Sequence, residues 1–279
     1  MTLAAAAIAA PLVRGVARAG EATPLPGAGR IVLAIDVSRS MAVADVAPDR
    51  MTRARTAAFR LTTELPDASV GLVAFAARAY ALLPPTHDRG LLLRYLDALD
   101  PRMLSAQGSR LAGAVDAALK ELETRESGAA PTGPRAIVLV TDGESFDPDR
   151  RVAAALARAR TEGVSLYAVS VGTPEGGLVP GAGALSTARP ARLKVLLRTA
   201  GGYAADAGRT AEMTAVVGKL RARFAAEPGP EGAAPPRPGA VAEWFTGLAL
   251  LALSLEAALA LYRPARHACP ASYRSRATA

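Results

Sequence analysis

Asp36, Ser38 and Ser40 stand at alternate positions in Asp36-Val-Ser-Arg-Ser-Met41, directly after the apolar run Ile31-Val-Leu-Ala-Ile35. One carboxylate and two hydroxyls at this spacing make an oxygen-only cluster. Hard cations such as Mg2+ take oxygen ligands in near-octahedral geometry and keep several waters, so the cluster suits one. Alone, the same pattern is also a strand followed by a polar turn with a Ser or Asp helix cap. Two further segments supply oxygens of the same kind. Val138-Leu-Val-Thr-Asp-Gly-Glu144 runs an apolar strand into Asp142, and Gln107-Gly-Ser109 puts a hydroxyl at a helix start. Each of these is an ordinary turn or cap by itself. Together, in this order, they make Asp36, Ser38, Ser40, Ser109 and Asp142 candidate ligands of one ion. Two carboxylates balance a +2 charge, and a water-filled position on the ion could be taken by a partner's Asp or Glu.

The elements that would position these residues alternate between short apolar strands and helices. Strands are predicted at 31–36, 69–75, 80–83, 136–141 and 164–171, with a weaker one near Tyr203. Helices are predicted from Pro48-Asp49 to Pro66, then at 88–99, 110–124, 149–162, 190–200 and 210–225. The short strand at 80–83 is expected to stop at Pro84-Pro85, and the glycine-rich residues 172–188 are expected to be a long surface loop. Helices between fully apolar strands imply a mostly parallel sheet covered on both faces. In such sheets ligands bind at the carboxyl ends of the strands, where Asp36 and Asp142 would sit. Asp45 and Asp49 read as turn and helix-start residues, Thr86 as a loop cap and Glu144 as a solvated neighbour of the site.

The net charge of +8 lies mostly at the ends of the chain. Arg14, Arg18, Arg263, Arg266, Arg274 and Arg276 account for six of these charges, leaving +2 for residues 20–262. With 4% aromatics and no basic concentration in the folded part, a nucleic-acid partner is set aside. The single Cys269 excludes a disulfide framework or thiolate site, and two histidines, His87 and His267, argue against zinc. Residues 1–26 are an apolar N-terminal segment, signal-like or part of a membrane helix, whose apolar run is too short to span a bilayer. The α/β domain is assigned to 27–226 and a Pro/Gly-rich linker to 227–241. Residues 242–262 then read as a transmembrane helix, and 263–279 as a basic tail. Trp244 to Tyr262 would make a helix about 28 Å long, near the hydrocarbon thickness of a bilayer, with an aromatic ring at each end. Glu256 opposes this assignment and seven leucines support it. The positive-inside rule puts the tail in the cytoplasm and the domain outside the cell membrane, although Arg14 and Arg18 pull the other way.

With Asp36-Val-Ser-Arg-Ser40, Gly108-Ser109 and Thr141-Asp142-Gly143 in place, the chain resembles the von Willebrand factor type A (VWA) domain with its metal-ion-dependent adhesion site. The resemblance covers about 30–222 and implies a Rossmann-like domain with a mostly parallel central sheet. It also implies direct ligation of Mg2+, or of Mn2+ or Ca2+, by Ser38 and Ser40, with Asp36 and Asp142 acting mainly through water. The family threonine falls on Ser109, which keeps the hydroxyl and loses a methyl. A closer resemblance is to the Bat-type membrane proteins linked to aerotolerance operons. It is carried by Asp36-Val-Ser-Arg-Ser-Met41, Asp45-Val-Ala-Pro48, Val70-Gly-Leu-Val-Ala-Phe75 and Val171-Gly-Thr-Pro-Glu-Gly176, and by the order of parts. That group usually has Thr then Asp where this chain has Ser109 and Arg110, so a cation stands beside the site. The resemblance implies MoxR-type AAA+ ATPases and other Bat-type proteins as partners, in a stress-tolerance or protein-assembly system.

The function expected from these residues is non-enzymatic: Mg2+-dependent binding of a protein that offers an Asp or Glu. Arg39 and Arg110 could steer such an acidic partner, or simply be solvated. A metal-dependent phosphohydrolase is the alternative from another class, with Asp36 as phosphoryl acceptor or the ion as Lewis acid. Against it stand the lone domain histidine and the lack of a G-x-x-x-x-G-K-[ST] loop. A metal-free scaffold of the same fold is the third reading.

Overall fold

Apolar side chains on both faces of β1 (Arg30–Asp36) require cover on both sides, and the chain supplies it. In this computed structural model the described residues are 29–104, 108–123 and 133–225. The remaining strands of the central sheet are β2 (Ser69–Phe75), β3 (Ala79–Thr86), β4 (Arg135–Thr141), β5 (Val164–Ser170) and β8 (Tyr203–Asp206). A two-stranded ribbon of β6 (Gly177–Leu178) and β7 (Leu185–Ser186) lies apart from them. The six-stranded order is β3-β2-β1-β4-β5-β8, parallel throughout except for β3 at one edge.

Side-chain alternation along the strands sorts the helices into two layers. Ile31, Leu33 and Ile35 pack with Met51 and Leu61 of α1 (Arg50–Thr63), Leu92 and Leu96 of α2 (Arg89–Ala98), and Val216 and Leu220 of α6 (Thr210–Ala225). Val32 and Ala34 face the other layer. There they meet Leu111, Val115 and Leu122 of α3 (Leu111–Glu123), Leu156 of α4 (Asp149–Thr161) and Leu193 and Leu197 of α5 (Pro190–Thr199). The sheet changes winding direction between β1 and β4, since β2 extends it on one side and β4 on the other. That crevice is where doubly wound sheets hold ligands, and the ends of β1 and β4 carry Asp36 and Asp142.

Helix starts follow the sequence. Asp49 caps α1, accepting from the Thr52 N–H at 2.7 Å, and Asp88 caps α2, accepting from Leu91 N–H at 2.9 Å. Thr86 accepts from the Asp88 N–H at 3.1 Å, which is the loop-capping role read for it. Because the Asp49 bond satisfies a donor with no intrahelical partner, Asp49→Ala is expected to cost about 1 kcal/mol. A lower urea midpoint with unchanged m-value checks this; an unchanged midpoint would show the cap to be redundant.

Two expectations need correction. β3 does not stop before Pro84-Pro85 but runs through both prolines to Thr86. It is an antiparallel edge strand, and its pairing shifts register between Val70 and Val73, so the missing N–H groups fall where the ladder is already irregular. Residues 172–188 are not a plain surface loop either. They contain the β6–β7 ribbon, closed by Val179 N–H to Ala184 O at 2.8 Å, and Ser186 is buried. Among the described residues no helix is long and apolar enough to cross a membrane. The predicted segments 1–26, 227–241, 242–262 and 263–279 lie outside the described residues.

Candidate metal centre

The five sequence-predicted residues meet at the carboxyl ends of β1 and β4. Asp36 is fully buried and acts as a collector of donors. Its Oδ1 accepts from the Ser38 N–H at 2.9 Å, and its Oδ2 accepts from the Ser109 hydroxyl at 2.9 Å and the Thr141 hydroxyl at 2.8 Å. The Ser38 and Ser40 hydroxyl oxygens are 2.9 Å apart. Asp142, also fully buried, accepts from the Glu144 N–H at 2.9 Å and lies within hydrogen-bond reach of Ser40. A pocket of about 270 Å3 opens onto Ser38, Ser40 and Ser109, while the two carboxylates stand behind these hydroxyls. Ser109 sits at the start of α3 on a turn that needs Gly108: its φ is +94°, and an added Cβ would fall 1.9 Å from the Phe146 ring.

Sequence reasoning missed the residue with the most bonds here. Arg50, the first residue of α1, is completely buried, and all five of its N–H groups are used. Nε and Nη2 grip Asp45 Oδ1 and Oδ2 at 2.9 and 2.7 Å. Nη1 donates to Asp142 Oδ2 at 2.9 Å and to the Ser186 hydroxyl at 2.8 Å, and Nη2 also reaches Ser186 O at 3.2 Å. Asp45 is therefore not a simple turn residue; its Oδ2 also accepts from the Thr173 N–H at 2.8 Å. Gly172, with φ +90°, is demanded by this packing, because a Cβ there would lie 2.4 Å from Arg50 Nε. Glu144 is likewise more than a solvated neighbour. Its Oε1 accepts from the Thr187 N–H at 2.8 Å, and Asp142 O accepts from Arg189 N–H at 2.7 Å, so the loop after β4 is tied to the segment before α5.

The electrostatics follow from burial. Removal from water pushes the Asp36 carboxyl above its usual range, against the lowering effect of its hydrogen bonds from Ser38, Thr141 and Ser109. Burial, and then the charge of Asp36, push Asp142 up to about 7, although Ser40, the Glu144 N–H and Arg50 pull it down. Burial also opposes the charge on Arg50, but the bond to Asp45 and the charges of Asp142, Asp45 and Glu144 outweigh it and hold the guanidinium charged. Asp45 and Asp142 thus share one guanidinium, and Asp36 stands next to Asp142 with no cation of its own among the described residues. Arg50 is bidentate on Asp45 and gives one further bond to Asp142, so Asp36 and Asp142 can both be ionised only if more positive charge is brought to them. A divalent cation would supply it. No group of three or more His, Cys, Asp or Glu side chains placed to hold a metal occurs among the described residues, so an ion here would depend on the serine hydroxyls and water beside the two carboxylates, a donor set of oxygens that suits a hard cation.

Comparisons with known proteins agree with this architecture. Residues 31–144 match the family model of the von Willebrand factor type A domain. A UPF0353 protein of Mycolicibacterium paratuberculosis is 37% identical over 152 residues, covering 52% of this chain and 45% of that protein. The chain thus spans about half the length of the curated relatives it matches. The crystal structure of BatB from Bacteroides thetaiotaomicron, a conserved hypothetical protein, superposes with a TM-score of 0.63 at 25% identity, covering 71% of this chain and 99% of that one. An aerotolerance-related membrane protein from Bacteroides fragilis gives a TM-score of 0.60 at 23% identity, with the same coverage. The sheet order, the site at the β1/β4 crevice and the matched residues agree: this chain has the fold of a von Willebrand factor type A domain, matches that family's model over residues 31–144, and is similar to BatB.

Proposed function

We propose that the domain is a non-enzymatic protein-binding module that holds one Mg2+ among Asp36, Ser38, Ser40, Ser109 and Asp142 and presents it to a carboxylate of a partner protein. The observation that supports this best is the geometry of the β1/β4 crevice, where two fully buried carboxylates lie behind three hydroxyls that open to a pocket. Bound there, the ion would supply a coordination position to an incoming Asp or Glu. The chain's own residues do the rest. Asp36 orients the Ser38 backbone and the Ser109 hydroxyl, Ser38 and Ser40 face the pocket, and Arg50 neutralises Asp45 and holds Asp142 in place.

Resemblance to the Bat-type proteins supports membrane anchorage through 242–262 and partnership with a MoxR-type AAA+ ATPase or other Bat-type proteins. Purification of the full chain from membranes in Mg2+ and in EDTA tests the reading. The expected result is a partner retained in Mg2+ and released in EDTA, with Mg2+ uptake seen by calorimetry. Equal capture in both buffers removes the adhesion reading, and no uptake of Mg2+ or Mn2+ leaves a metal-free scaffold.

A further inference from the structure

The walls of the metal pocket carry features that the ion itself does not need. Phe146 is 76% exposed, more than any other large apolar side chain among the described residues. What sets it apart from the other exposed apolar residues is its place on the metal pocket and the fixed backbone beneath it. The ring lies against Gly108, its backbone N–H donates to Ser109 O at 2.9 Å, and Ser145 bonds the same carbonyl at 3.3 Å. Asp147 fastens the far side of the loop, accepting from the Ala112 N–H at 3.0 Å. The backbone of Phe146 is thus held in place beside the candidate ligand Ser109, and its ring is offered to solvent at the pocket edge.

Two arginines complete the rim. Arg39 sits between the pocket hydroxyls Ser38 and Ser40, and Arg189 is positioned by its backbone bond to Asp142. Both are exposed, and neither guanidinium makes a hydrogen bond or ion pair among the described residues. Arg39 also lines a second pocket of about 500 Å3, where Arg55 Nε is buried without an acceptor among the described residues. Arg39 and Arg189 bracket one pocket next to an exposed aromatic ring, and the acid that shares the lining, Glu144, has its Oε1 engaged by the Thr187 N–H.

We propose that this rim selects an acidic protein segment in which the metal-binding carboxylate is accompanied by an apolar side chain that packs on Phe146 and by further acidic groups that face Arg39 and Arg189. The inference rests on the metal reading above and adds the partner's chemistry to it. Charge complementarity decides for an acidic partner, and the exposed ring on a fixed backbone decides for an apolar anchor beside the acid.

The test uses the immobilised full-length chain and a random linear twelve-residue peptide library, selected in Mg2+. Enriched peptides are expected to contain two or more acids and an adjacent aromatic or large aliphatic residue. Capture of a selected peptide should weaken at least about tenfold in Phe146→Ala, as for an interface anchor. In Arg39→Gln/Arg189→Gln it should weaken and lose most of its dependence on salt. Mg2+ uptake by calorimetry should match wild type in Phe146→Ala and be at least as tight in Arg39→Gln/Arg189→Gln, where two positive charges near the ion are removed, since none of the three side chains belongs to the ligand set. Absent enrichment, enriched peptides lacking acids, or capture indifferent to both variants while Mg2+ still binds would overturn the rim proposal alone. No Mg2+ uptake by the wild-type chain would overturn the metal reading and this one with it.

Discussion

Arg50→Met is expected to lower the stability of the domain by about 3–5 kcal/mol, the range for stripping one partner from a buried ion pair. The loss comes less from missing attraction than from what stays behind. Asp142 is fully buried and would keep Asp36 as a charged neighbour with no cation to offset it. Asp45 would lose both of its guanidinium bonds, and Ser186 would lose the donors that hold the β6–β7 ribbon against the site. For a domain of this size the shift corresponds to a melting temperature lower by about 10 °C. Arg50→Lys should fall between, because one ammonium cannot reproduce a fork that spans Asp45, Asp142 and Ser186. A double-mutant cycle of Arg50→Met with Asp45→Asn isolates the pair and should return a coupling of about 1–3 kcal/mol. Unchanged melting in Arg50→Met would show that the guanidinium is dispensable.

Arg50 also shows where sequence reading stops. The ligand candidates were legible because each lies at a strand end or helix start, where residue type and spacing carry the meaning. The register of β1 with β4 then brings them together; alternating apolar strands and helices announced a mostly parallel sheet, while its strand order came from the structure. Arg50 gives no such signal. An arginine at a helix start in a chain with 33 basic residues looks solvated, and its partners Asp142 and Ser186 lie 92 and 136 residues away. Thr141 was hidden in the same way: as the last residue of an apolar strand it reads as β-propensity, while in space its hydroxyl serves Asp36. The ribbon in 172–188 could not be read because two-residue strands have no period. Ser186 and Thr187 are held by bonds to Arg50 and Glu144, not by local preference. The prolines of β3 misled for the opposite reason, since a rule valid for central strands was applied to an edge.

Asp36→Asn carries the second large effect: Mg2+ binding should fall by two orders of magnitude or more with the fold retained. The substitution keeps the shape and removes one of the two charges that an ion must balance. It also replaces an acceptor-only group, serving Ser38, Ser109 and Thr141, by one that offers a single acceptor oxygen and an amide. Hydroxyls can turn to accept from that amide, so Ser109 and Thr141 stay partnered. Asp36→Ala is a poorer probe, because it orphans three buried donors, each worth about 1–3 kcal/mol when unsatisfied, and so confuses lost binding with lost folding. The measurement is the urea midpoint with and without Mg2+. A ligand at about 100 times its dissociation constant stabilises the folded state by ~2.7 kcal/mol, so wild type should gain stability in Mg2+ while Asp36→Asn gains almost none. The baseline sharpens the contrast. Without metal, removal of one buried like charge relieves Asp142, so Asp36→Asn should be no less stable than wild type in EDTA and less stable only in Mg2+. A variant that gains as much from Mg2+ as wild type would place the ion, if it binds, somewhere other than the β1/β4 crevice.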